Sequence, residues 1–294
     1  MAPDLPVVTS STNVLRGIAY ILTAGFLIAS MDGIGKALTA ELPVLQVVWA
    51  RYFFHTLAMT GMLVALTGRR FLVTKRPVLQ ITRGALLIVV TVLIYTAMPH
   101  ISLADATAIQ FFAPVLVTLL SALFLGESIG IYRIGAVVAG FAGVLLVVRP
   151  GFGDANPYLL LPLFAAFALA GYFMLTRTLS GPQEGLAALF HTTAAGAVVI
   201  SLLVPTVWVA PTGWQLFEMA ALGLFGALGH GCLVRGFAHA PASVLSPFLY
   251  SQVLFATIYT IVLFGDSLTL PMMAGTGLLI ASGLTIWWRE RGQK

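Results

Sequence analysis

The sequence predicts an all-α, polytopic membrane protein with ten transmembrane helices in two inverted five-helix repeats. Three observations predict it. Charged residues are 9 % of the 294, the hydrophobic class is 59 % and the mean hydropathy is +1.00. An average soluble domain carries about 25 % charge, and so little charge cannot cover a water-facing surface. The chain also offers ten apolar stretches, each long enough to cross a hydrocarbon core of about 30 Å. Finally, the stretch 104–150 has Pro114 within an apolar span, Gly126-Glu127-Ser128 at its end, and Gly135, Gly140 and Gly143 in the next span. A weaker copy returns at 243–289, with Gly265-Asp266-Ser267 followed by Gly275, Gly277 and Gly283. The offset of 139 to 140 residues is close to half the chain and reads as an internal duplication.

Taken in order, the spans are 14–38, 43–66, 78–98, 103–125, 130–149, 156–177, 185–206, 213–237, 242–264 and 269–289. They group into a first repeat at 14–149, a second at 155–289 and a tail at 290–294. The N-terminal MAPDLPVVTSSTNVLRG holds Asp4 and no basic residue before Arg16. It lacks the positive start of a cleaved signal peptide, so the first span is expected to remain as a membrane helix. Short connections make consecutive spans antiparallel neighbours. With both termini inside, Arg16, Arg69, Arg70, Lys75, Arg76, Arg83, Arg133, Arg177, Arg235, Arg289, Arg291 and Lys294 fall at inner ends, and Lys36 and Arg149 at outer ends. That asymmetry predicts cytoplasmic termini. It also accounts for the net charge of +5 without a nucleic-acid partner. Five spans is an odd number, so the second repeat enters the membrane from the opposite side. Carriers of this build hold substrate near the midplane, between the halves.

Small residues at helical spacing mark close helix packing in lipid: Gly135, Ala139 and Gly143 in span 5, Gly223, Ala227 and Gly231 in span 8, and Gly277, Ala281 and Thr285 in span 10. Pro99, Pro114, Pro162 and Pro247 lie within or at the ends of spans, where each removes a backbone donor and favours a kink. The single cysteine, Cys232, sits in an apolar run, so neither a disulfide framework nor a cysteine-based metal site is expected.

Ionisable groups at membrane depth need a partner or a wet cavity, since each costs about 2.5–3.5 kcal/mol on insertion scales. Asp32 and Lys36 share a face of span 1 at i, i+4 spacing, and an antiparallel hairpin brings Arg51 of span 2 to the depth of Asp32. An Asp32–Arg51 or Asp32–Lys36 pair is the simplest way to make these charges tolerable, either as structure or as an outer gate or charge site. The repeat offset carries Arg51 to His191 and Asp32 to Tyr172, so the second half keeps a polar point without the charge. His191, His230 and His55 are candidates for proton coupling. In spans 4 and 9, Gln110 beside Phe111, and Tyr250 with Gln252 after Pro247, point to a midplane cavity. Amides there suit the head of a small zwitterion, and Tyr95, Tyr172, Tyr250 and Phe111 suit an apolar body.

The sequence has no H-E-x-x-H, no G-x-S-x-G, no G-x-x-x-x-G-K and no acidic run, so no metal, cofactor or nucleotide-driven pumping is expected. His100 and Asp105 have a His-x4-Asp spacing used by some acyltransferases, but they lack any accompanying acyl-donor motif.

The pattern A-P-V-x8-F-L-G-E-S from Ala113 to Ser128, followed by G-x4-G-x2-G-V from Gly135 to Val144, resembles the EamA repeat of the drug/metabolite transporter superfamily. The basic residue of Trp49-Ala50-Arg51-Tyr52-Phe53 matches a position common in the second helix of such repeats. The resemblance covers essentially the whole chain, although Val253 and Asp266 replace the proline and glutamate of the motif in the second copy. It implies a carrier whose cavity is formed mainly by helices 1, 3, 4, 6, 8 and 9, with helices 5 and 10 bracing it. Within the superfamily the chain looks most like YddG-type amino-acid exporters. Export of amino acids, aromatic and apolar ones included, or of similar amphipathic metabolites is therefore expected, driven down a gradient or by exchange with protons. A carrier of another solute, such as a nucleotide sugar or quaternary amine, is the alternative, and an intramembrane acyltransferase using His100 and Asp105 is a more distant one. The sequence leaves the choice between monomer and dimer open.

Overall fold

The computed structural model describes residues 11–125, 131–148, 156–177, 182–240 and 242–291. Among them every regular element is helical. The α-helices are α1 (Ser11–Thr39), α2 (Val44–Thr67), α3 (Pro77–Ala97), α4 (Leu103–Gln110), α5 (Ala113–Leu125), α6 (Ile131–Val148), α7 (Leu160–Arg177), α8 (Pro182–Leu203), α9 (Gly213–His239), α10 (Ala242–Leu245), α11 (Ser251–Val262) and α12 (Leu270–Arg291). Short 3₁₀ turns at Arg70–Leu72, Pro157–Leu159, Val204–Val207 and Ser246–Tyr250 link some of them. Large apolar side chains such as Leu57, Val138, Leu202 and Val262 point outward, as lipid contact requires.

Spans 4 and 9, expected as continuous helices, are each broken. The first break falls at Phe111 and Phe112, the second at Ser246–Tyr250. Proline explains both. Pro114 and Pro247 lack the N–H that would bond back one turn, and their rings crowd the preceding carbonyls. Around the first break the hydrogen bond of Phe112 shortens to Ile109. Half-helices opposed at the midplane are tolerated where they face protein or a cavity rather than lipid.

The helix contacts carry the symmetry of the duplication. Helix α1 packs on α9 as its counterpart α7 packs on α3. Helix α2 packs on α9 as α8 packs on α3, and α1 meets α11 as α7 meets α4 and α5. Three contacts pair counterpart with counterpart: α2 with α8, α4 with α11, and α6 with α12.

Of the glycines that spacing selects in spans 5 and 10, Gly143 lies in the α6–α12 contact, while Gly135 and Gly277 do not. A Cβ at Gly143 would stand 2.8 Å from the Gly275 carbonyl oxygen, and one at Gly140 2.8 Å from the Ser282 hydroxyl, whereas Gly135 and Gly277 face open space. On α9 the close approaches are at Gly223, Gly226 and Gly229, each against α1 or α2, while Gly231 is loosely packed. The close approaches recur at i, i+3 spacing on both α6 and α9, where small residues let the backbones come together.

Equivalent clamps close the two faces of the molecule. On the face bearing His100, buried Gln46 donates to the Val209 carbonyl at 2.7 Å and accepts the Val209 N–H at 2.9 Å. On the opposite face Glu184 accepts the Lys75 N–H and the Thr74 hydroxyl, both at 2.8 Å. Each residue sits in the first turn of the second span of its half, and each holds the loop entering the third span of the other half. The Lys75 N–H foremost, then the Thr74 hydroxyl, holds the Glu184 carboxyl below the usual glutamate range. A carboxyl depressed in the folded state adds stability above its unfolded value and loses it as pH falls through the folded one. Glu184→Gln is therefore expected to lower the melting temperature on the neutral side and to flatten the acid side, the variant and wild-type profiles converging at low pH. A wild-type acid slope in the variant, measured by thermal unfolding in detergent from neutral to acid pH, would refute this role.

Candidate substrate site

Four helices converge on Arg51. From α2, its guanidinium lies over the Tyr95 ring of α3, 5.5 Å from the centroid. This approach depends on Gly35 of α1, where a Cβ would come 2.8 Å from the Tyr95 hydroxyl. The Tyr95 hydroxyl is buried beside Arg51. Asp32 of α1, 8 % exposed, faces Arg51 within electrostatic reach, yet among the described residues the two do not close into an ion pair and the carboxylate accepts no hydrogen bond. Tyr52, one residue along α2, bonds the Thr91 hydroxyl at 3.1 Å. Below it the His55 and His230 rings meet edge to face at 5.4 Å, and His230 Nδ1 lies 2.9 Å from the Gly226 carbonyl. Gly226 makes room for this: a Cβ there would stand 2.8 Å from His55 Nδ1.

The two helix breaks meet each other. The Phe111 and Tyr250 rings meet tilted by 36°, their centroids 5.1 Å apart, where the two breaks face each other. Gln110 and Gln252 flank them, half-buried, and neither side-chain amide bonds another described residue. Gly25 lets α1 pass against the second break, since a Cβ there would run into the Ser251 hydroxyl.

Other sequence candidates lie elsewhere. Tyr172 accepts a hydrogen bond from Arg83 at 3.0 Å, with the guanidinium 4.7 Å from its ring centroid. Arg83, expected as an inner-end anchor, is 2 % exposed and also donates to Thr176 at 2.9 Å and Gln80 at 2.8 Å. Gln80 in turn donates to Glu184 at 3.3 Å, so Tyr172 belongs to a network reaching the Glu184 face. His191 Nδ1 sits 2.9 Å from the Ala187 carbonyl of its own helix, beside Phe190.

Lys36 does not pair with Asp32. Its ammonium donates to Asp266 Oδ2 and to the Ile101 carbonyl, each at 2.9 Å, and lies 4.7 Å from the centroid of the Phe264 ring. Asp266 is presented by Gly265, whose φ of 66° is a left-handed conformation that suits glycine. The Gly-Asp-Ser motif of the second repeat thus builds a tie between its own loop, the end of α1 and the loop before α4. Gly126-Glu127-Ser128 of the first repeat lies outside the described residues. Gly265→Ala is expected to cost about 1 kcal/mol through the left-handed backbone and to loosen the Lys36–Asp266 pair. A melting temperature equal to wild type would refute the strain. His100 stacks on Tyr158 at 3.7 Å, while Asp105 accepts the Ser102 hydroxyl at 2.8 Å in the cap of α4. The two therefore have separate structural uses and do not form an acyl-transfer pair.

Two inverted halves, paired breaks at mid-depth and an ionisable centre enclosed by helices from both halves define the class: a transporter that moves a small solute between opposite faces. The chain belongs to the EamA-like transporter family, which matches residues 15–149 and 156–288. It is a multi-pass membrane transporter and not an enzyme. The S-adenosylmethionine uptake transporter of Rickettsia felis is similar at 25 % identity over 277 residues, 94 % of each chain. The pseudopaline exporter CntI of Pseudomonas aeruginosa is 29 % identical over 245 residues, 81 % of this chain and 84 % of that one. A riboflavin transporter of Vibrio cholerae is 26 % identical over 253 residues, 81 % of each. Among solved structures, one crystal structure superposes with a TM-score of 0.60 at 20 % identity, over 97 % of this chain and 99 % of that one, a likeness of fold.

Proposed function

We propose that this carrier exports amino acids, aromatic and apolar ones included, or amphipathic metabolites built on an amino-acid head, across the bacterial inner membrane by alternating access, with both termini cytoplasmic. The observation that carries the reading is the gap between Asp32 and Arg51. Two opposite charges face one another at one depth without direct contact, which is the complement of a zwitterion. The carboxylate would take the ligand ammonium, and the guanidinium, steadied over Tyr95, would take the ligand carboxylate in its planar fork. The amides of Gln110 and Gln252, unbonded to other described residues, and the tilted Phe111–Tyr250 pair would supply polar contacts and an aromatic wall for the side chain. One relative's name fits such a head: S-adenosylmethionine is an amino acid carrying an adenosyl group. A nucleotide sugar would call for several cations around its phosphates, whereas this centre presents Arg51 opposed by Asp32.

The test is counterflow in liposomes containing only the purified protein. Labelled phenylalanine, leucine and S-adenosylmethionine would be offered with and without a pH gradient. Saturable exchange of at least one of them is expected. Failure of every amino-acid-headed solute alongside exchange of a solute without that head would overturn the reading.

A further inference from the structure

A pocket of about 440 Å³ opens on the His100 face. Lys36, His100, Ser102, Asp105, Asn156 and Asp266 contribute to its polar wall, drawn from both repeats. The Lys36–Asp266 pair crosses it, and the two partners are unequally placed, Lys36 13 % exposed and Asp266 40 %. Directly beneath, the buried Thr260 hydroxyl accepts the Ala104 N–H at 3.0 Å, and the Asp266 N–H bonds the Thr260 carbonyl at 3.0 Å. The tie therefore seals the point where the start of α4 meets the end of α11.

We infer that this pocket is a second, peripheral docking site for the zwitterionic head of an amino acid arriving from the His100 face, and that its occupancy opens the tie. The inference rests on the reading of the carrier as one for amino-acid-headed solutes. The chemistry is an exchange of partners. A ligand carboxylate takes Lys36 while its ammonium takes Asp266, so one ion pair becomes two and no charge is stranded. A ligand with a single charge cannot do this. An amine would occupy Asp266 and leave Lys36, the more buried member, without a counter-ion, which is the costly way to break such a pair. A carboxylate would compete for Lys36 and leave Asp266 uncompensated. Opening would free α1 from the Ile101 carbonyl and from the loop after α11 together, because one ammonium holds both.

The experiment places a reporter under the tie: Thr260→Cys in a Cys232→Ser background, purified in detergent and reacted with a charged, water-soluble thiol reagent. L-Phenylalanine, L-phenylalaninamide and 3-phenylpropionate serve as probes, and phenylalanine counterflow is measured on the same protein. Phenylalanine is expected to raise the labelling rate about tenfold, within the usual range of coupling between sites, and the two singly charged analogues to leave it unchanged. Lys36→Gln and, independently, Asp266→Asn should label quickly without any probe and show no further response. An unchanged rate with phenylalanine, while counterflow proceeds, would overturn the docking site and leave the carrier reading intact. Equal acceleration by all three probes would also overturn it. Acceleration by phenylalanine alone, with no counterflow of any amino acid, would support the site and overturn the carrier reading.

Discussion

Arg51→Ala is expected to lower the initial rate of counterflow about 100-fold while the protein still reaches the membrane and elutes as a single species. The figure follows from one bidentate, charge-assisted contact worth about 3 kcal/mol, since each 1.4 kcal/mol is about a factor of ten. The loss has a second component. Among the described residues, removing the guanidinium leaves Asp32, 8 % exposed and without a hydrogen bond, as a buried carboxylate with no cation nearby. A stranded buried charge costs about 3–5 kcal/mol when its partner is deleted, so stability should fall as well as transport. The double variant Asp32→Asn/Arg51→Gln separates the two effects. It should regain most of the stability, because neither charge is stranded, and none of the transport, because neither end of the zwitterion is recognised. Counterflow of Arg51→Ala within about twofold of wild type would remove Arg51 from the binding machinery, since the contact would then be worth well under 1.4 kcal/mol.

Gly143→Leu is expected to have the largest effect on stability. At Gly143 an added Cβ meets backbone: the Gly275 carbonyl oxygen at 2.8 Å and the Leu279 N–H nitrogen at 3.1 Å. A Cβ at Gly275 would in turn meet the Gly143 carbonyl oxygen at 2.6 Å. Backbone cannot swing aside as a side-chain tip can, so α6 and α12 must separate along their whole contact. Overpacking in cores costs about 1–3 kcal/mol where side chains can yield, and here the cost should reach the top of that range or pass it. Gly135→Leu lies on the same helix, in open space, and should be silent. Equal melting temperatures for the two variants would show that the α6–α12 contact is not where the structure puts it.

Much of the fold was legible because membrane burial writes itself locally. Each span declares itself by length and hydropathy, and the 139 to 140 residue offset declares the duplication. What the sequence could not resolve depends on how helices dock. Spacing selects Gly143 together with Gly135 and Gly277, whereas the rotation of α6 against α12 brings Gly143 together with Gly140 and Gly275, and nothing within either helix fixes that rotation. Spacing offers Lys36 a partner four residues away in Asp32, whereas Asp266 lies 230 residues along the chain. The available signal was an acidic residue in the Gly-Asp-Ser motif and a solitary lysine expected at the same face. Tyr172 was grouped with the cavity aromatics because it is aromatic and repeat-related to Asp32, but Arg83 draws it toward the Glu184 face. Gln46 and Glu184 went unnoticed as ordinary polar residues at span starts, although their matching places in the two halves offered a clue. The Asp32–Arg51 proximity, by contrast, follows from an antiparallel hairpin alone.

If both halves were chemically alike, the states open to either side would be mirror images of equal energy, and half-saturation would be the same from each compartment. The Lys36–Asp266 tie breaks that equality. The repeat offset carries Lys36 to Thr176, a neutral residue held by Arg83. A partly exposed ion pair contributes about 0.2–1 kcal/mol, so by this contact alone the resting populations differ by up to about fivefold. The half-saturation ratio between the two compartments inherits that bias, because apparent affinity scales with the fraction of carriers facing the ligand. Salt screens the pair; the sidedness of the carrier therefore shrinks as ionic strength rises, while the direction of net flux remains that of the gradient.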